Sequence, residues 1–441
     1  MPTPKSIPVA NAAYRWDRIA LASILVGTII RVIWGLVIHP PVDFLYSDMG
    51  SYVERAQRLA AGGPLWRIDA FHPPGTHMLL AAPMKLFGTG SAGLWAGAVL
   101  WCVLSSLVPL LTWRLARSLL TPAAAALTAV FCAFWPLHIT YGAFFTSETP
   151  SLALMVAALW AGYRASREQG KLAYGFGLLA GVLGGAAMAS RPQWVLNLMV
   201  LAVPLLLRFR RQAAVLASIV IGTTCILGAV LLHNSVVAGK PTSLSENSGV
   251  NFWMGHCDVR TVTTNHPRQN VYFTFSLPVA VQRERGGTYI FNGHLAWDQP
   301  FFYDMGLQCI QRDGFGHIRI LARNTLDMTA TTVPWPQVDG GNGQRSVVRA
   351  TNLVYALLLP WIVIESVYLI RRRHAAGQPS GETIMLAHLA CVVLVVVLYF
   401  GDPRLRAPYD VFGLSLLAAL IADRLGLDRH VLEGPGGSAD D

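Results

Sequence analysis

Long apolar segments recur along the whole chain of 441 residues, and they constrain its fold more than any other feature. Examples are Ile19–His39, Leu94–Trp113, Ala213–Leu232, Leu353–Ile370 and Ile384–Phe400. Segments of about 18 residues or more are long enough to cross the hydrocarbon core of a bilayer. Only 13% of the residues are charged, whereas a soluble domain carries about 25%. The pattern predicts a polytopic α-helical membrane protein.

Short basic loops follow alternate apolar segments and predict about ten transmembrane helices, with eleven or twelve as the upper range, and a cytoplasmic N-terminus. The predicted spans are approximately 19–38, 92–113, 121–138, 149–164, 173–190, 193–207, 213–232, 350–370, 383–400 and 411–423. The first lacks the features of a cleaved signal peptide, so we expect it to be retained. The net charge of +10 comes largely from these loops, and it therefore does not indicate a nucleic-acid partner.

Two segments of the first outer loop, residues 39–90, are helical in pattern but not spans. Tyr52–Ala61 places arginines opposite apolar positions, which is typical of an amphipathic surface helix. Thr76–Phe87 is apolar but too short to cross the membrane unaided. We expect both to be interfacial or re-entrant helices on the outer face.

The chain divides by composition into four predicted regions. An N-terminal transmembrane catalytic module (1–233) is followed by a small extracytoplasmic α/β domain (234–348), C-terminal transmembrane helices (349–425) and a disordered tail (426–441). The second region is too long for a connector and mixes short strand-like and helical patterns. It also holds Cys257 and Cys309 in a compartment that permits a disulfide, and the sequence leaves their pairing open.

The predicted threading brings four polar sites to the same outer surface. Asp48 follows the first span, where a carboxylate can accept a proton from an acceptor hydroxyl as a general base. The alternative is that Asp48 caps the helix that begins there. Asp43 is a nearby candidate that ranks lower.

The next two sites also have a structural alternative. Glu148 opens a later span, where it can act in the site or favour the positive end of the helix. Arg191 lies between two spans and can bind lipid headgroups in general or one phosphate in particular. His72 belongs to the turn His72-Pro73-Pro74-Gly75, which is rigid but a weak signal alone.

The fourth site is the turn from Gly401 to Asp410, which carries Arg404 and Arg406. Guanidinium groups match phosphate oxygens in geometry and charge. Basic residues are less expected on the outer face than on the cytoplasmic face. We therefore interpret both arginines as phosphate-binding. Arg31 lies within the first span, and we expect it to face the protein interior or to snorkel outward.

Several motifs occur in an order that resembles the GT-C superfamily of membrane glycosyltransferases. These are Asp48-x-x-x-Tyr52-x-x-x-Ala56 with Gly62-Gly63, then His72-Pro73-Pro74-Gly75, Ser147-Glu148-Thr149-Pro150, Asn247–His256, and Pro403-Arg404-Leu405-Arg406-x-Pro408. The similarity extends over about residues 15–425. It is greatest to the branch that includes lipid A aminoarabinose transferases and protein mannosyltransferases of the family 39 type.

The resemblance implies an inverting transfer of a sugar from a polyprenyl phosphate to an acceptor hydroxyl on the extracytoplasmic face of a bacterial inner membrane. Asp48 would be the base, Glu148, His72, Tyr52 and Asp43 would position donor or acceptor, and Arg404, Arg406 and Arg191 would bind phosphate. The acceptor is a lipid, a polysaccharide or a protein. A transporter or flippase of a lipid-linked saccharide, and a polysaccharide ligase or polymerase, are the alternatives.

Two departures from the family pattern concern the site. The family often has an acidic pair where this chain has Asp48-Met49, so a second carboxylate must come from elsewhere, and Glu148 is the candidate. No cofactor is required by the sequence, and dependence on a divalent metal is left open. Leu405 stands where the family usually has an aromatic residue, and we expect that change to be tolerated.

Overall fold

The computed structural model describes residues 9–257, 261–266, 271–276, 289–337, 340–378 and 380–427. It is mainly helical. The α-helices are α1 (Val9–Ile33), α2 (Ser47–Ala60), α3 (Gly75–Phe87), α4 (Ser91–Leu119), α5 (Pro122–Phe134), α6 (Pro136–Tyr141), α7 (Glu148–Ala165), α8 (Gly170–Ser190), α9 (Val195–Leu207), α10 (Phe209–Ala238), α11 (Ser248–His256), α12 (Gln299–Asp313), α13 (Ile318–Asp327), α14 (Asn342–Ala375), α15 (Gly381–Leu398), α16 (Pro403–Arg406) and α17 (Asp410–Arg424). The strands are β1 (Thr261–His266), β2 (Val271–Ser276) and β3 (Tyr289–Leu295).

Each of the ten predicted spans coincides with a helix. Among the described residues, seven helices are long and apolar enough to cross a membrane by length and composition. The other three predicted spans correspond to α5, α7 and α9, which are shorter or less apolar. The prediction of a polytopic helical membrane protein is confirmed, and the number of about ten spans stays a prediction.

Helix α17 is largely enclosed by its neighbours, whereas α1 and α10 turn much of their surface outward. It packs against α5, α14 and α15. Four consecutive alanines, Ala123–Ala126, are buried in α5, and small side chains let membrane helices approach closely. This packing holds the turn that precedes α17, including α16, near the centre of the bundle.

Arg31 faces the protein interior, which is one of the two outcomes expected for it. Its guanidinium donates to the carbonyl oxygens of Cys132 (2.9 Å) and Ala133 (2.6 Å) at the end of α5, and to the Ser105 hydroxyl (3.2 Å). The last carbonyl groups of a helix have no partner within the helix. Arg31 therefore satisfies helix-end carbonyls that would otherwise be exposed to an apolar environment.

Both predicted non-spanning segments of the first outer loop are helices, α2 and α3, and they pack against each other and against α4. Their shared core contains Met49, Val53, Leu80 and Trp101. Burial of the apolar face of α2 turns Asp48, in its first turn, toward the centre of the molecule.

The predicted α/β region contains a three-stranded sheet of order β2-β1-β3, flanked in sequence by helices. Strands β1 and β2 are antiparallel, with Thr261 opposite Ser276, and β1 and β3 are parallel, with Thr261 opposite Tyr289. Cys257 and Cys309 form a disulfide. The domain boundaries stay predictions, and the predicted disordered tail lies outside the described residues except for 426 and 427.

Candidate active site

Arg404 joins residues from three distant parts of the chain. Its Nη1 and Nη2 atoms lie 3.2 and 3.3 Å from Asp48 Oδ2, and its Nε donates to Glu148 Oε1. Arg191 approaches the same Glu148 oxygen from the other side, with Nη1 at 2.7 Å. We call Asp48, Glu148, Arg191 and Arg404 the ion network. It contains two carboxylates and two guanidinium groups, so its formal charges balance.

The two carboxylates differ in access to solvent. The side chain of Glu148 is only 2% exposed, whereas that of Asp48 is 32% exposed. A buried carboxylate requires paired charge, and Glu148 has it in both arginines. Asp48 is therefore the carboxylate of the network that is accessible from outside the protein.

The structure decides against the N-cap alternative for Asp48, whereas Glu148 lies in the first turn of α7 and can also favour the positive end of that helix. Asp48 is the second residue of α2, and the N-cap position belongs to Tyr46, without a side-chain capping bond. Glu148 opens α7 after Ser147, whose hydroxyl makes no capping bond and instead accepts from Arg191 at 3.2 Å. Both carboxylates are directed to guanidinium groups.

Arg404 is held by the turn that carries it and by an aromatic ring. Asp402 is the N-cap of α16, and its carboxylate accepts from the Arg404 amide. Burial raises the pKa of Asp402 to about 6. The Arg404 guanidinium lies over the Trp335 ring, 4.6 Å from its centroid, and such a contact contributes about 0.5–2 kcal/mol.

His72 and Tyr52 line the side of the network toward the first outer loop. Their rings are 5.6 Å apart. Burial, together with the nearby guanidinium groups of Arg55 and Arg404, lowers the pKa of His72 well below its usual value, so the imidazole is neutral at pH 7. Burial and the Asp48 carboxylate raise the pKa of Tyr52 to about 12. Both groups can therefore position a ligand as neutral hydrogen-bonding partners.

Two predicted site residues lie apart from the network. Asp43 is exposed in a short 3₁₀ helix, Pro41–Asp43, and within the described residues no ion pair joins it to the network. Arg406 is fully buried and pairs with Asp410, Nε to Oδ1 at 3.0 Å. It also donates to Asn352 at 2.8 Å and lies over the Tyr355 ring. Its contacts are those of a structural residue. The structure therefore does not support the prediction that Arg406 binds phosphate together with Arg404.

Trp335 and Tyr141 are two residues near the network that the sequence motifs did not identify. Trp335 precedes α14 and contacts Arg404, and the Tyr141 hydroxyl donates to the Trp335 carbonyl at 3.5 Å. Tyr141 also lines a small cavity with Glu148 and His138. The signal available for Trp335 was an aromatic residue in a long loop. Its partner, Arg404, lies 69 positions further along the chain, and the sequence does not connect the two.

Among the described residues, no group of three or more His, Cys, Asp or Glu side chains is arranged to hold a metal ion. Asp48 and Glu148 share the guanidinium of Arg404, and a divalent cation bridging them would have to displace it. The present arrangement of donors does not fit a metal, and no step below is derived through one.

Comparisons with known proteins place this geometry in context. Residues 71–236 match the sequence profile named "Dolichyl-phosphate-mannose-protein mannosyltransferase". No curated protein sequence matches the chain. The structure is similar to that of the archaeal oligosaccharyltransferase AglB from Archaeoglobus fulgidus in complex with an inhibitory peptide and a dolichol-phosphate, with a TM-score of 0.54 and 15% identity over 96% of this chain.

A second structure of the Archaeoglobus fulgidus enzyme, tethered to an acceptor peptide, gives a TM-score of 0.53 and 14% identity over 96% of this chain. The chain spans about half (52%) of the length of these archaeal chains. ArnT from Cupriavidus metallidurans in the apo state is 15% identical over 95% of this chain and 78% of its own, but its TM-score of 0.38 is too low to support an argument.

The matched region 71–236 contains Glu148 and Arg191 but ends before Arg404. The fold likeness extends over 96% of the chain. The chain thus shares the fold of the archaeal oligosaccharyltransferase AglB, and its residues 71–236 match the profile of the dolichyl-phosphate-mannose-protein mannosyltransferase family.

Proposed function

We propose that this protein is a membrane glycosyltransferase that moves a sugar from a polyprenyl-phosphate donor to an acceptor hydroxyl on the extracytoplasmic face, with inversion. The observation that carries the proposal is the ion network, in which one guanidinium contacts both a partly exposed and a buried carboxylate. The dolichol-phosphate in the similar archaeal enzyme supports a polyprenyl-phosphate donor.

The donor would bind with its tail in the bilayer and its phosphate at Arg404 and Arg191. Arginine is suited to this role because its planar donors can contact two phosphate oxygens at once. Arg404 is the second residue of the segment Pro403–Arg424, one of the seven candidate spans among the described residues. Its position at a helix end matches the depth of a lipid phosphate at the membrane surface.

In the reaction, the acceptor oxygen would attack the anomeric carbon while Asp48 takes the hydroxyl proton. The new bond joins the acceptor oxygen to the anomeric carbon, and the bond between that carbon and the phosphate oxygen breaks. The electron pair of the broken bond stays on the phosphate, which leaves as polyprenyl phosphate. Attack opposite the leaving group inverts the anomeric configuration.

The Arg404 guanidinium would couple proton uptake by Asp48 to the departure of the phosphate. Before transfer, Arg404 is electrostatically engaged by Asp48 and Glu148. When Asp48 accepts the proton, it becomes neutral, and its electrostatic attraction to the Arg404 guanidinium weakens. At that moment the leaving phosphate gains negative charge, and positive charge released next to it stabilises the transition state.

The test is a transfer assay with purified protein in liposomes. A panel of radiolabelled polyprenyl-phosphate sugars is mixed with a crude envelope acceptor fraction, for the wild type, Asp48→Asn and Asp43→Asn. Loss of a general base typically costs about 10²–10⁴-fold in rate. We expect that loss for Asp48→Asn and near-normal transfer for Asp43→Asn, because Asp43 is an exposed carboxylate outside the network.

Other outcomes of the assay have distinct meanings. Near-normal turnover by Asp48→Asn would remove Asp48 as the base. Label that crosses the liposome membrane without forming a new product would favour a transporter. Extension of a labelled polymer would favour a polymerase or ligase. A parallel reaction with EDTA tests dependence on a divalent metal, and sidedness of product in oriented vesicles tests the extracytoplasmic location.

A further inference from the structure

Helix α13 buries polar side chains and exposes apolar ones, which is the reverse of what is expected for a helix on a soluble domain. Its buried residues include Asn324 and Asp327, whereas Ile318 and Leu326 are 68% and 69% exposed. Ile318, Ala322 and Leu326 are spaced four apart and so lie within about 80° of one another around the helix. An amphipathic helix in water normally buries its apolar face.

The exposed apolar face extends beyond the helix. Phe315, one turn before Ile318, is fully exposed. Arg319 is exposed at the edge of this face. Arg312, at the end of α12, is also exposed, and it pairs with Asp313, with Nε 2.9 Å from Oδ1. We call Phe315, Ile318, Ala322 and Leu326 the apolar stripe. Apolar side chains bordered by arginine are typical of helices that lie in the headgroup region of a bilayer.

The polar face of α13 fixes its height relative to the membrane helices. Asn324 Nδ2 donates to the carbonyl oxygen of Tyr399 at 3.2 Å and to that of Gly255 at 3.0 Å. Tyr399 directly follows Leu398, the last residue of α15. Helix α15 is one of the candidate spans, so α13 lies level with the end of a membrane-crossing helix.

The outward surface of α15 continues this apolar region. Leu394 and Leu398, in its last two turns, are 54% and 51% exposed, as expected for side chains in contact with lipid. The lipid-facing surface of the bundle therefore ends next to α13. Because the exposed apolar surface of a candidate span continues to this level, the bilayer is a better candidate than a separate protein partner to cover the stripe.

We propose that α13 is an interfacial helix, with the apolar stripe inserted into the lipid leaflet at the end of α15 and Arg319 contacting a lipid phosphate. The helix also abuts the segment that leads into the ion network, because a side chain on Gly401 would lie 1.8 Å from the Asn324 carbonyl oxygen. The proposed lipid contact at α13 is therefore adjacent to the turn that carries Asp402 and Arg404. This inference does not depend on the reaction proposed above.

The test places an environment-sensitive fluorophore (NBD) on single cysteines. Ile318→Cys and Leu326→Cys are compared with Gln308→Cys, an exposed polar position on α12, all in a Cys225→Ser background. The remaining free cysteines, Cys102, Cys132 and Cys391, are buried, and Cys257 is bonded to Cys309. The labelled positions are exposed, so the substitutions should leave the fold intact.

Each variant is reconstituted into liposomes and quenched by doxyl-labelled lipid or by aqueous iodide. We expect doxyl lipid to quench the labels at 318 and 326 several-fold more than the label at 308, and iodide to show the opposite order. Equal access of iodide to all three sites would overturn the proposal. So would protection of 318 and 326 from both quenchers, since that result would mean that protein covers the stripe.

Discussion

Arg404 and Arg406 are two positions apart, yet they have different surroundings. Consecutive residues of a helical turn are about 100° apart, so residues at i and i+2 point to nearly opposite sides. Arg404 turns toward Asp48 and Glu148, and Arg406 turns toward Asp410 and Asn352. A pattern of two arginines in one turn therefore predicts a basic site but does not reveal which residue belongs to it.

Replacement of Arg404 by lysine should reduce activity far more than stability. Lysine keeps the positive charge but has one compact ammonium group, which cannot contact both carboxylates as the planar guanidinium does. We expect the turnover number to fall by about 10²–10³-fold, the size of effect seen when one transition-state donor is lost. The measurement is the transfer assay, combined with thermal unfolding in detergent.

Arg406→Lys is the matched control at the neighbouring arginine. Its guanidinium is fully buried among protein partners, so its replacement should lower the unfolding temperature. The protein that remains folded should keep most of its activity per molecule. If Arg406→Lys instead lost activity without losing stability, Arg406 would belong to the site as the sequence predicted.

At the scale of elements, the junction of α11, α13 and the end of α15 depends on a close backbone approach at Gly255. A Cβ atom on Gly255 would lie 1.6 Å from the Tyr399 carbonyl oxygen. At an open helical site, replacement of glycine by alanine stabilises the helix by about 1 kcal/mol. At position 255 the added Cβ atom would instead push α11 away from the end of α15. The junction therefore connects the α/β region to the helix that leads into Asp402.

We expect Gly255→Ala to destabilise the protein by about 1–3 kcal/mol, the usual cost of overpacking. Gly343→Ala is the control, because no heavy atom lies within 4 Å of a Cβ atom built there, and it should be neutral or slightly stabilising. Thermal unfolding of both variants in the same detergent is the measurement. If both variants were equally stable, α11 and the end of α15 could separate without loss of free energy of unfolding.

At the scale of the whole molecule, most of the helices and part of the candidate site can be predicted from the sequence. The length of apolar segments predicts the helices, since a membrane imposes a minimum span. The threading also predicts that Asp48, Glu148, Arg191 and Arg404 converge, because helix ends on one face are close together. It does not predict Trp335, whose contact with Arg404 depends on how a long loop folds back.

The disulfide permits a test of the orientation of the entire chain. Disulfides persist in oxidising compartments and are rare in the cytosol. The chain has six cysteines, of which Cys257 and Cys309 are bonded and four are free. We expect alkylation of the denatured protein to label four cysteines before reduction and six after it. Labelling of all six before reduction would contradict an extracytoplasmic location of this segment.

The contact between Asp48 and Arg404 joins residues 356 positions apart, and this separation has a consequence for biosynthesis. A ribosome inserts the first helix long before it has translated the last. Until codon 404 has been read and the final helix has entered the bundle, the nascent protein lacks a complete ion network. Chains that terminate early or are released midway would therefore lack this network and the activity proposed for it, however many of their helices had already been inserted.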